Sequence, residues 1–161
     1  MSSRQEPQQV FEALRERGET LAFCESLTAG LAAATMASVP GVSTVLRGGL
    51  VTYATEVKAH FLHSSVDKLE AQGVVSVATA AMMAQAAARE TQADWGIGLT
   101  GVAGPDVQEA KPAGTVCIGI VGPGVSARGE LYHLPAGSRQ QVREEAVAAA
   151  LSLLLSTLEN F

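Results

Sequence analysis

The order in which helices and strands are predicted along the chain is the feature that most constrains its fold. Apolar periodicity, helix caps and Gly-Pro turns divide the sequence into short elements. In chain order these are a helix over 5–17, a strand over 20–24, a helix over 28–38, a strand over 45–53, helices over 55–62, 66–72 and 77–91, strands over 94–100, 115–121 and 128–134, and a last helix that begins after Ser138. Helices alternate with strands at first and a hairpin comes late, which favours a three-layer α/β/α domain that spans residues 1–161. We expect a mixed, mainly parallel sheet of about five strands, one of them antiparallel.

Small side chains must carry out much of the packing, because aromatic residues make up only 4% of a chain that contains 16 glycines. Its 161 residues are enough to bury a core without disulfides or metals. We therefore interpret Cys24 and Cys117, which lie in apolar predicted strands, as buried reduced thiols of a cytoplasmic protein. The N-terminal segment lacks the apolar region of a secretory signal. Pro40 and Gly41 interrupt the uncharged stretch 26–46, which argues against a membrane span.

The formal net charge is −5, from 11 Lys and Arg against 16 Asp and Glu. Without a basic cluster, such a chain is a poor partner for duplex DNA or RNA. A small anionic ligand is compatible with this charge, since a local pair of arginines can oppose the overall sign.

Several motif matches lack the context that their chemistry needs. Residues 96–101 fit G-x-G-x-x-G, but these glycines lie inside a predicted strand rather than between a strand and a helix. The S-x-x-K match that starts at Ser65 lacks the other motifs of that enzyme class, so we interpret Ser65 as a helix cap. His60, His63 and Asp67 do not have a diagnostic metal-ligand spacing. We therefore expect no dinucleotide, metal or other cofactor.

Three predicted loops follow strands and should meet at one edge of the sheet, where ligands bind in α/β proteins. These loops are 25–30, 53–58 and 101–112. Ser26 lies at a strand-to-helix turn, where a hydroxyl near unpaired backbone amides suits either a bound anion or a nucleophile with its oxyanion. The alternative is that Ser26 only caps the following helix.

Basic side chains near the same edge each allow two interpretations. Lys58 follows Tyr53 by about one helical turn, and it is either a base whose pKa is lowered by burial or a surface lysine. The loop 101–115 could cradle a phosphate with its backbone amides. Arg139 and Arg143, one turn apart at the start of the last helix, could clamp an anion or form a solvated face.

Four segments taken in order resemble the CinA C-terminal domain family, known also as nicotinamide mononucleotide deamidases. The first is Glu25-Ser26-Leu27-Thr28-Ala29-Gly30, where the family has E-S-x-T-G-G, and the second is Gly49 to Lys58, which matches G-x-V-T-Y-x-x-x-x-K. The third combines Gly101 to Pro105 with Lys111 to Thr115, which correspond to G-x-A-G-P and K-P-x-G-T. The fourth is Gly137 with Arg139 and Arg143 at the start of the last helix. Any one of these motifs is weak, but their shared order and spacing identify the family over nearly the whole chain.

The resemblance implies a stand-alone amidohydrolase that converts nicotinamide mononucleotide to nicotinic acid mononucleotide and ammonia, with no metal or cofactor, as a homodimer. It implies that Ser26 is the nucleophile and Lys58 the base, with Tyr53 close by in the catalytic group. The residues implied to bind the substrate are Glu25, Thr28, Gly30, Gly101, Ala103, Gly104, Lys111, Thr115, Arg139 and Arg143. Of the two arginines, we expect Arg143 to contact the phosphate.

Three features depart from the family pattern. Ala29 replaces a glycine, Leu27 replaces a cysteine, and the loop after Gly104-Pro105 is shorter, with Glu109 displaced by one position. Because a fold by itself does not establish an activity, the alternative is a nucleotide-binding or protein-interaction domain of the same fold without catalysis.

Overall fold

The computed structural model describes the backbone of residues 2–161 and the side chains of residues 5–161. Its elements are α1 (Ser2–Arg17), β1 (Leu21–Glu25), α2 (Leu31–Ala37), a 3-10 turn (Val42–Thr44), β2 (Leu46–Val51), α3 (Thr55–Phe61), α4 (Val66–Gln72), α5 (Val77–Thr91), β3 (Trp95–Gly101), β4 (Thr115–Gly122), β5 (Val125–His133) and α6 (Arg139–Asn160). All the helices and strands predicted from the sequence are present. The hydroxyls of Ser65, Ser76 and Ser138 accept hydrogen bonds from backbone amides and cap α4, α5 and α6, as expected.

Two boundaries differ from the prediction in ways that affect the candidate site. Helix α2 was expected from residue 28 but begins at Leu31, because Ala29 and Gly30 have φ angles of 46° and 98°. That left-handed conformation cannot continue into a right-handed helix. Strand β2 ends at Val51, so Tyr53 lies beyond the strand rather than at its last residue.

The five strands form one sheet in the order β2-β1-β3-β4-β5. Strand β1 pairs in parallel with both β2 and β3, whereas β4 is antiparallel to β3 and to β5. Four strands therefore run in one direction and β4 runs in the other, which confirms the predicted mixed sheet with one antiparallel strand.

The helices cover both faces of this sheet. Helices α1, α2 and α6 pack against one another on one face, while α5 lies across the other with α3 and α4 beside it. The chain leaves β1 through α2 to reach β2 on one side, and returns through α5 to β3 on the other side. The carboxyl end of β1 is therefore a topological switch point, where the two crossovers diverge and leave a crevice.

The two faces of the sheet are packed with side chains of different size. Toward α1, α2 and α6 the strands direct large apolar residues, among them Phe23, Trp95, Ile97, Leu99, Ile118 and Ile120. Toward α5, Gly98, Gly119 and Gly129 lie opposite one another on three adjacent strands. A Cβ at Gly119 would lie 1.9 Å from the carbonyl oxygen of Ala80 in α5, and one at Gly129 would lie 2.3 Å from that of Val77. Helix α5 therefore rests directly on the backbone of the sheet.

This close packing also explains the G-x-G-x-x-G match. Gly96 and Gly98 lie within β3, and a Cβ at Gly96 would come within 2.0 Å of the carbonyl oxygen of Ala84 in α5. These glycines make room for a helix rather than for a dinucleotide, as their position inside a strand predicted. No helix in the described part of the chain is long and apolar enough to cross a membrane.

Candidate active site at the switch point

The three loops expected to meet do so at the switch point, where they line two adjoining pockets. The inner pocket, of about 80 Å³, is lined by Ser26, Leu27, Tyr53, Thr55, Lys58, Val74, Val75, Thr100, Gly101 and Gln108. The outer pocket, of about 250 Å³, is lined by Leu27, Tyr53, Gly101, Val102, Ala103, Gly104, Asp106, Val107, Gln108 and Arg139. Because the two linings share four residues, we treat the pockets as the inner and outer parts of one cleft.

Ser26 lies at the start of the turn that joins β1 to α2, and only 7% of its surface is exposed. Its backbone amide donates to the carbonyl oxygen of Leu99 at 3.0 Å, which fixes the residue to the end of β3. The amide of Ala29 closes the turn by donating to the carbonyl oxygen of Ser26, also at 3.0 Å. Within residues 5–161, the amides of Leu27 and Thr28 donate no hydrogen bond, so this turn keeps free donors close to the Ser26 hydroxyl.

Glu25 is not part of the cleft, contrary to the implied role in substrate binding. Its side chain is 1% exposed, and its two carboxylate oxygens accept from the amides of Ala32 and Ala33 at 2.8 and 3.1 Å. The carboxylate thus caps α2 from the preceding strand and occupies the positive end of its dipole. The amides of Ala32 and Ala33 are therefore occupied, and the donors left for an anion or an oxyanion are those of the turn before α2.

Lys58 is a buried lysine rather than a surface one. Its residue surface is 1% exposed, although it lies in the second turn of the short helix α3. Burial lowers its pKa, opposed by weaker attractions to Cys24 and Glu109. Burial also raises the pKa of the Cys24 thiol to about 11, so the attraction between Lys58 and the Cys24 thiolate acts only at high pH and the thiol is neutral near pH 7. No carboxylate of residues 5–161 lies within ion-pair distance of the Lys58 ammonium.

Tyr53 and Arg139 form the boundary between the outer pocket and solvent. Tyr53 is 58% exposed, and its hydroxyl accepts a hydrogen bond from Arg139 at 2.8 Å. The same guanidinium donates to the carbonyl oxygen of Gly104 at 2.7 Å. Arg139 therefore connects the start of α6 to two of the three loops and also lines the outer pocket.

Arg143 lies one helical turn further along α6 but outside both pockets. Its Nε donates to the carbonyl oxygen of Leu27 at 2.8 Å and its Nη2 to that of Thr28 at 3.0 Å. Its Nη1 donates to the side chain of Gln140 at 2.7 Å. Because its side chain lines neither pocket and each of its three nitrogens donates to an acceptor in the protein, the structure does not bring Arg143 and Arg139 together as one clamp, and the contact of Arg143 with a phosphate stays a prediction.

Glu109 holds the loop between β3 and β4 against the segment before α5. Its carboxylate accepts from the amides of Val74 and Val75 at 2.8 and 2.9 Å. Burial opposes ionisation of this carboxyl, but the two amides and Lys111 outweigh it, so the pKa of Glu109 is lowered. Lys111 lies 3.6 Å from this carboxylate and lines neither pocket, so the structure does not bring it to the cleft.

The remaining residues implied to bind the substrate also divide into those that line the cleft and those that do not. Gly101, Ala103 and Gly104 line the cleft, whereas Thr28, Thr115 and Gly30 line neither pocket. The Thr115 hydroxyl donates to the carbonyl oxygen of Pro112 at 2.8 Å, and Gly30 provides the left-handed residue before α2. The Thr28 hydroxyl is fully buried and has no hydrogen-bond partner among the described residues.

Sequence reasoning missed several residues that line the inner pocket, namely Thr55, Val74, Val75, Thr100 and Gln108. Thr100 could have been predicted by the argument that was used for Ser26, because it too is a polar residue at the carboxyl end of a strand. Val74 and Val75 had no local signal, since the Glu109 carboxylate brings them to the site from a distant loop. Among residues 5–161, no group of three or more His, Cys, Asp or Glu side chains is arranged to hold a metal ion.

The chain is thus an α/β domain with a polar cleft at its switch point and with a serine and a lysine buried in the inner part of that cleft. The chain belongs to the CinA C-terminal domain family, whose model matches residues 4–158.

Its relatives include proteins named competence-damage inducible protein. One from Lacticaseibacillus casei is 43% identical over 151 residues, which cover 94% of this chain and 36% of the relative. Another from Streptococcus gordonii is 44% identical over 156 residues, with 95% and 36% covered. The chain thus spans about a third of the length of these relatives.

Solved structures of similar chains have the same fold over almost their whole length. The competence damage-inducible protein A from Klebsiella pneumoniae superposes with a TM-score of 0.93 at 28% identity, covering 99% of this chain and 98% of that one. The competence/damage inducible protein CihA from Agrobacterium tumefaciens gives 0.90 at 26% identity, covering 97% and 95%.

Proposed function

We propose that this chain is an amidohydrolase that converts nicotinamide mononucleotide to nicotinic acid mononucleotide and ammonia, in the recycling of pyridine nucleotides. The observation that carries the proposal is the inner pocket, where Ser26 and Lys58 are buried in one small cavity and no carboxylate of residues 5–161 forms an ion pair with the lysine. Desolvation favours the neutral amine, and a neutral amine can accept the proton of an attacking hydroxyl. Family membership supports the same conclusion through the four motifs that led to it.

The first half of the proposed reaction forms an ester on Ser26. Its Oγ bonds to the carboxamide carbon while the hydroxyl proton moves to Nζ of Lys58, as in the Ser-Lys variants of the catalytic triad. The negative charge passes to the carboxamide oxygen, where the free amides of the turn after Ser26 can stabilise it. The C–N bond then breaks, and the proton held by Lys58 goes to the leaving nitrogen, so that ammonia departs.

The second half releases the acid. A water molecule attacks the ester carbon and passes a proton to Lys58, which returns it to the oxygen of Ser26 as the ester bond breaks. The product is nicotinic acid mononucleotide, and the enzyme regains its initial protonation state. No step requires a metal ion or an organic cofactor.

The outer pocket is the proposed place for the phosphate of the substrate. Arg139 supplies the positive charge there, because its guanidinium lines the pocket while that of Arg143 does not. Tyr53 adjoins both pockets and accepts a hydrogen bond from Arg139, so its proposed part is to orient the nucleotide rather than to transfer a proton.

The test is ammonia release by the purified chain with nicotinamide mononucleotide, with the acid product identified by mass spectrometry. Nicotinic acid mononucleotide, which has no carboxamide, serves as the control ligand and should bind without releasing ammonia. Binding of both nucleotides without release of ammonia from either would contradict the proposal and support the alternative of a non-catalytic nucleotide-binding domain. We further propose that the chain forms a homodimer, which light scattering of the same sample would test.

A further inference from the structure

We infer that Arg143 is a positioning residue that orients the peptide unit between Leu27 and Thr28, so that the Thr28 amide can bind the oxyanion of the reaction. This inference rests on the proposed function, since an oxyanion forms only if Ser26 attacks a carbonyl carbon. It concerns a residue that lines neither pocket and whose guanidinium, on sequence grounds, was expected to bind a phosphate.

The donors that could stabilise an oxyanion are few. The amides of Ala32 and Ala33 at the start of α2 are already bonded to the Glu25 carboxylate. The amide of Leu31 donates to the carbonyl oxygen of Thr28, and that of Ala29 to the carbonyl oxygen of Ser26. The amides of this turn that have no acceptor within residues 5–161 are those of Leu27, Thr28 and Gly30, and the first two are the nearest to Ser26 in the chain.

Arg143 determines how the second of these donors is directed. It donates to the carbonyl oxygens of Leu27 and Thr28, two successive peptide units, from Nε and Nη2 of one planar guanidinium. A trans peptide bond is planar, so the Thr28 amide must point away from the Leu27 carbonyl oxygen and therefore away from Arg143. The rigid fork of the guanidinium thus prevents this peptide unit from rotating.

The Thr28 side chain is a second sign that the turn is held for a purpose other than its own stability. Its hydroxyl is fully buried and has no partner among the described residues. A buried polar group left without a hydrogen bond is destabilising, and such a group in a folded protein calls for an explanation such as strain or a functional role. A turn under this penalty needs an external constraint to keep one conformation, and Arg143 provides it from α6.

The experiment compares Arg143→Lys with Arg139→Lys in the full chain, using nicotinamide mononucleotide and nicotinamide riboside, which lacks the phosphate. Arg143→Lys keeps the charge but loses the fork, so we expect kcat to fall about 10- to 100-fold on both substrates, with KM changed less than about threefold. Arg139→Lys is expected instead to raise KM for the mononucleotide alone. A loss confined to KM, or to the phosphorylated substrate, in Arg143→Lys would overturn the inference.

A second measurement tests the turn without any substrate. Solvent exchange of the Ala29 amide, followed by NMR, should quicken in Arg143→Lys and stay unchanged in Arg139→Lys, while the amide of Phe23 in β1 reports that the fold is intact. Unchanged exchange at Ala29 in Arg143→Lys would overturn the inference even if the enzyme is active. If the wild-type chain releases no ammonia, the proposed function fails and the oxyanion role falls with it, whereas the exchange result still decides whether Arg143 holds the turn.

Discussion

The inner and outer parts of the cleft differ in how firmly their functional side chains are held and how far they are from water. In the inner part, Ser26 and Lys58 are 7% and 1% exposed, and the turn that carries Ser26 and the helix that carries Lys58 are held by backbone hydrogen bonds. In the outer part, Tyr53 and Val107 are 58% and 63% exposed. Electrostatic effects are strong where water is excluded and weak where it is not. The inner part is therefore suited to chemistry and the outer part to binding, and substitutions in the two parts should have effects of different size.

The largest effect is expected for Ser26→Ala. Loss of the proposed nucleophile should lower kcat by about four orders of magnitude or more, while the melting temperature stays close to that of the wild type because the buried hydroxyl makes no hydrogen bond in the described structure. The measurement is ammonia release with thermal unfolding on the same samples. Ser126→Ala on exposed strand β5 is the matched control and should be fully active. Near-wild-type turnover by Ser26→Ala would show that Ser26 has only a structural role.

Lys58 should show opposite effects on activity and stability. Lys58→Met removes the proposed base and should lower kcat about 10²- to 10⁴-fold, and Lys58→Arg should be nearly as damaging because arginine does not deprotonate. The same Lys58→Met change should stabilise the fold by about 1 kcal/mol, because it replaces a desolvated amine with an apolar chain of similar length. Urea unfolding measures this change in the free energy of unfolding, and Lys68→Met, at an exposed lysine, is the control. An active Arg variant would mean that Lys58 supplies charge instead of accepting a proton.

The pH dependence of Lys58 follows from the same lowered pKa. Below the pKa that Lys58 has in the folded state, its amine is charged in both the folded and the unfolded protein. The full cost of burying that charge then lowers the free energy of unfolding. As pH rises through the folded-state pKa toward the ordinary value of 10.5, the folded protein binds fewer protons than the unfolded one, so this cost is lost. The stability advantage of Lys58→Met should therefore shrink with rising pH, while wild-type kcat/KM rises over the range where Lys58 loses its proton. An advantage that does not vary with pH would contradict the burial of a titrating amine.

A smaller effect is expected for Arg139→Ala in the outer part. Loss of one charge-assisted hydrogen bond to the phosphate should raise the activation free energy that corresponds to kcat/KM on nicotinamide mononucleotide by about 1.5–3 kcal/mol. Most of this loss should be seen as a higher KM. Nicotinamide riboside should be affected much less, and Arg47→Ala, a remote exposed arginine, is the control. Equal losses on both substrates would show that Arg139 shapes the loops, through Gly104 and Tyr53, without contacting the phosphate.

The smallest effect is expected for Glu109→Gln, which keeps the size of the side chain but removes its charge. Solvent reaches this carboxylate, so the loss of stability should be less than about 1 kcal/mol. The contribution of Glu109 is present above its ordinary pKa of 4.5 and is lost as pH falls through the lowered folded-state value, so wild type and variant should converge in acid. Thermal unfolding across this acid range shows whether the difference in stability between wild type and variant shrinks as the pH falls. A difference that grows on acidification would rule out the two amide bonds as its cause.

The sequence predicted the role of a residue well where its partners are near it in the chain, and poorly where they are distant. The strands, the serine caps and the meeting of three loops follow from local periodicity and from the rules for parallel sheets, and these predictions are confirmed. The roles of Glu25 and Arg143 were not accessible in this way. Arg143 bonds to a carbonyl 116 positions away in the chain, and nothing in the spacing of two arginines on a helix reveals that partner.

The outer part of the cleft was predicted less well for a related reason. Gly101, Ala103 and Gly104 were placed correctly because their loop follows a strand, but Lys111 and Thr115 belong to the same motif and lie away from the pocket. A motif records which residues a family keeps, and those that hold a loop in shape are kept as well as those that touch a ligand. The three-dimensional contacts are needed to separate the two groups.

The glycine stripe beneath α5 has a consequence for the order in which the chain folds. Gly98, Gly119 and Gly129 come from three strands, so the flat surface that accepts the helix exists only after β3, β4 and β5 have paired. Helix α5 precedes all three strands in the sequence, yet its docking requires them to be assembled first. Its packing belongs to the late part of the folding reaction, and substitutions at its contact with the stripe should accelerate unfolding more than they slow folding.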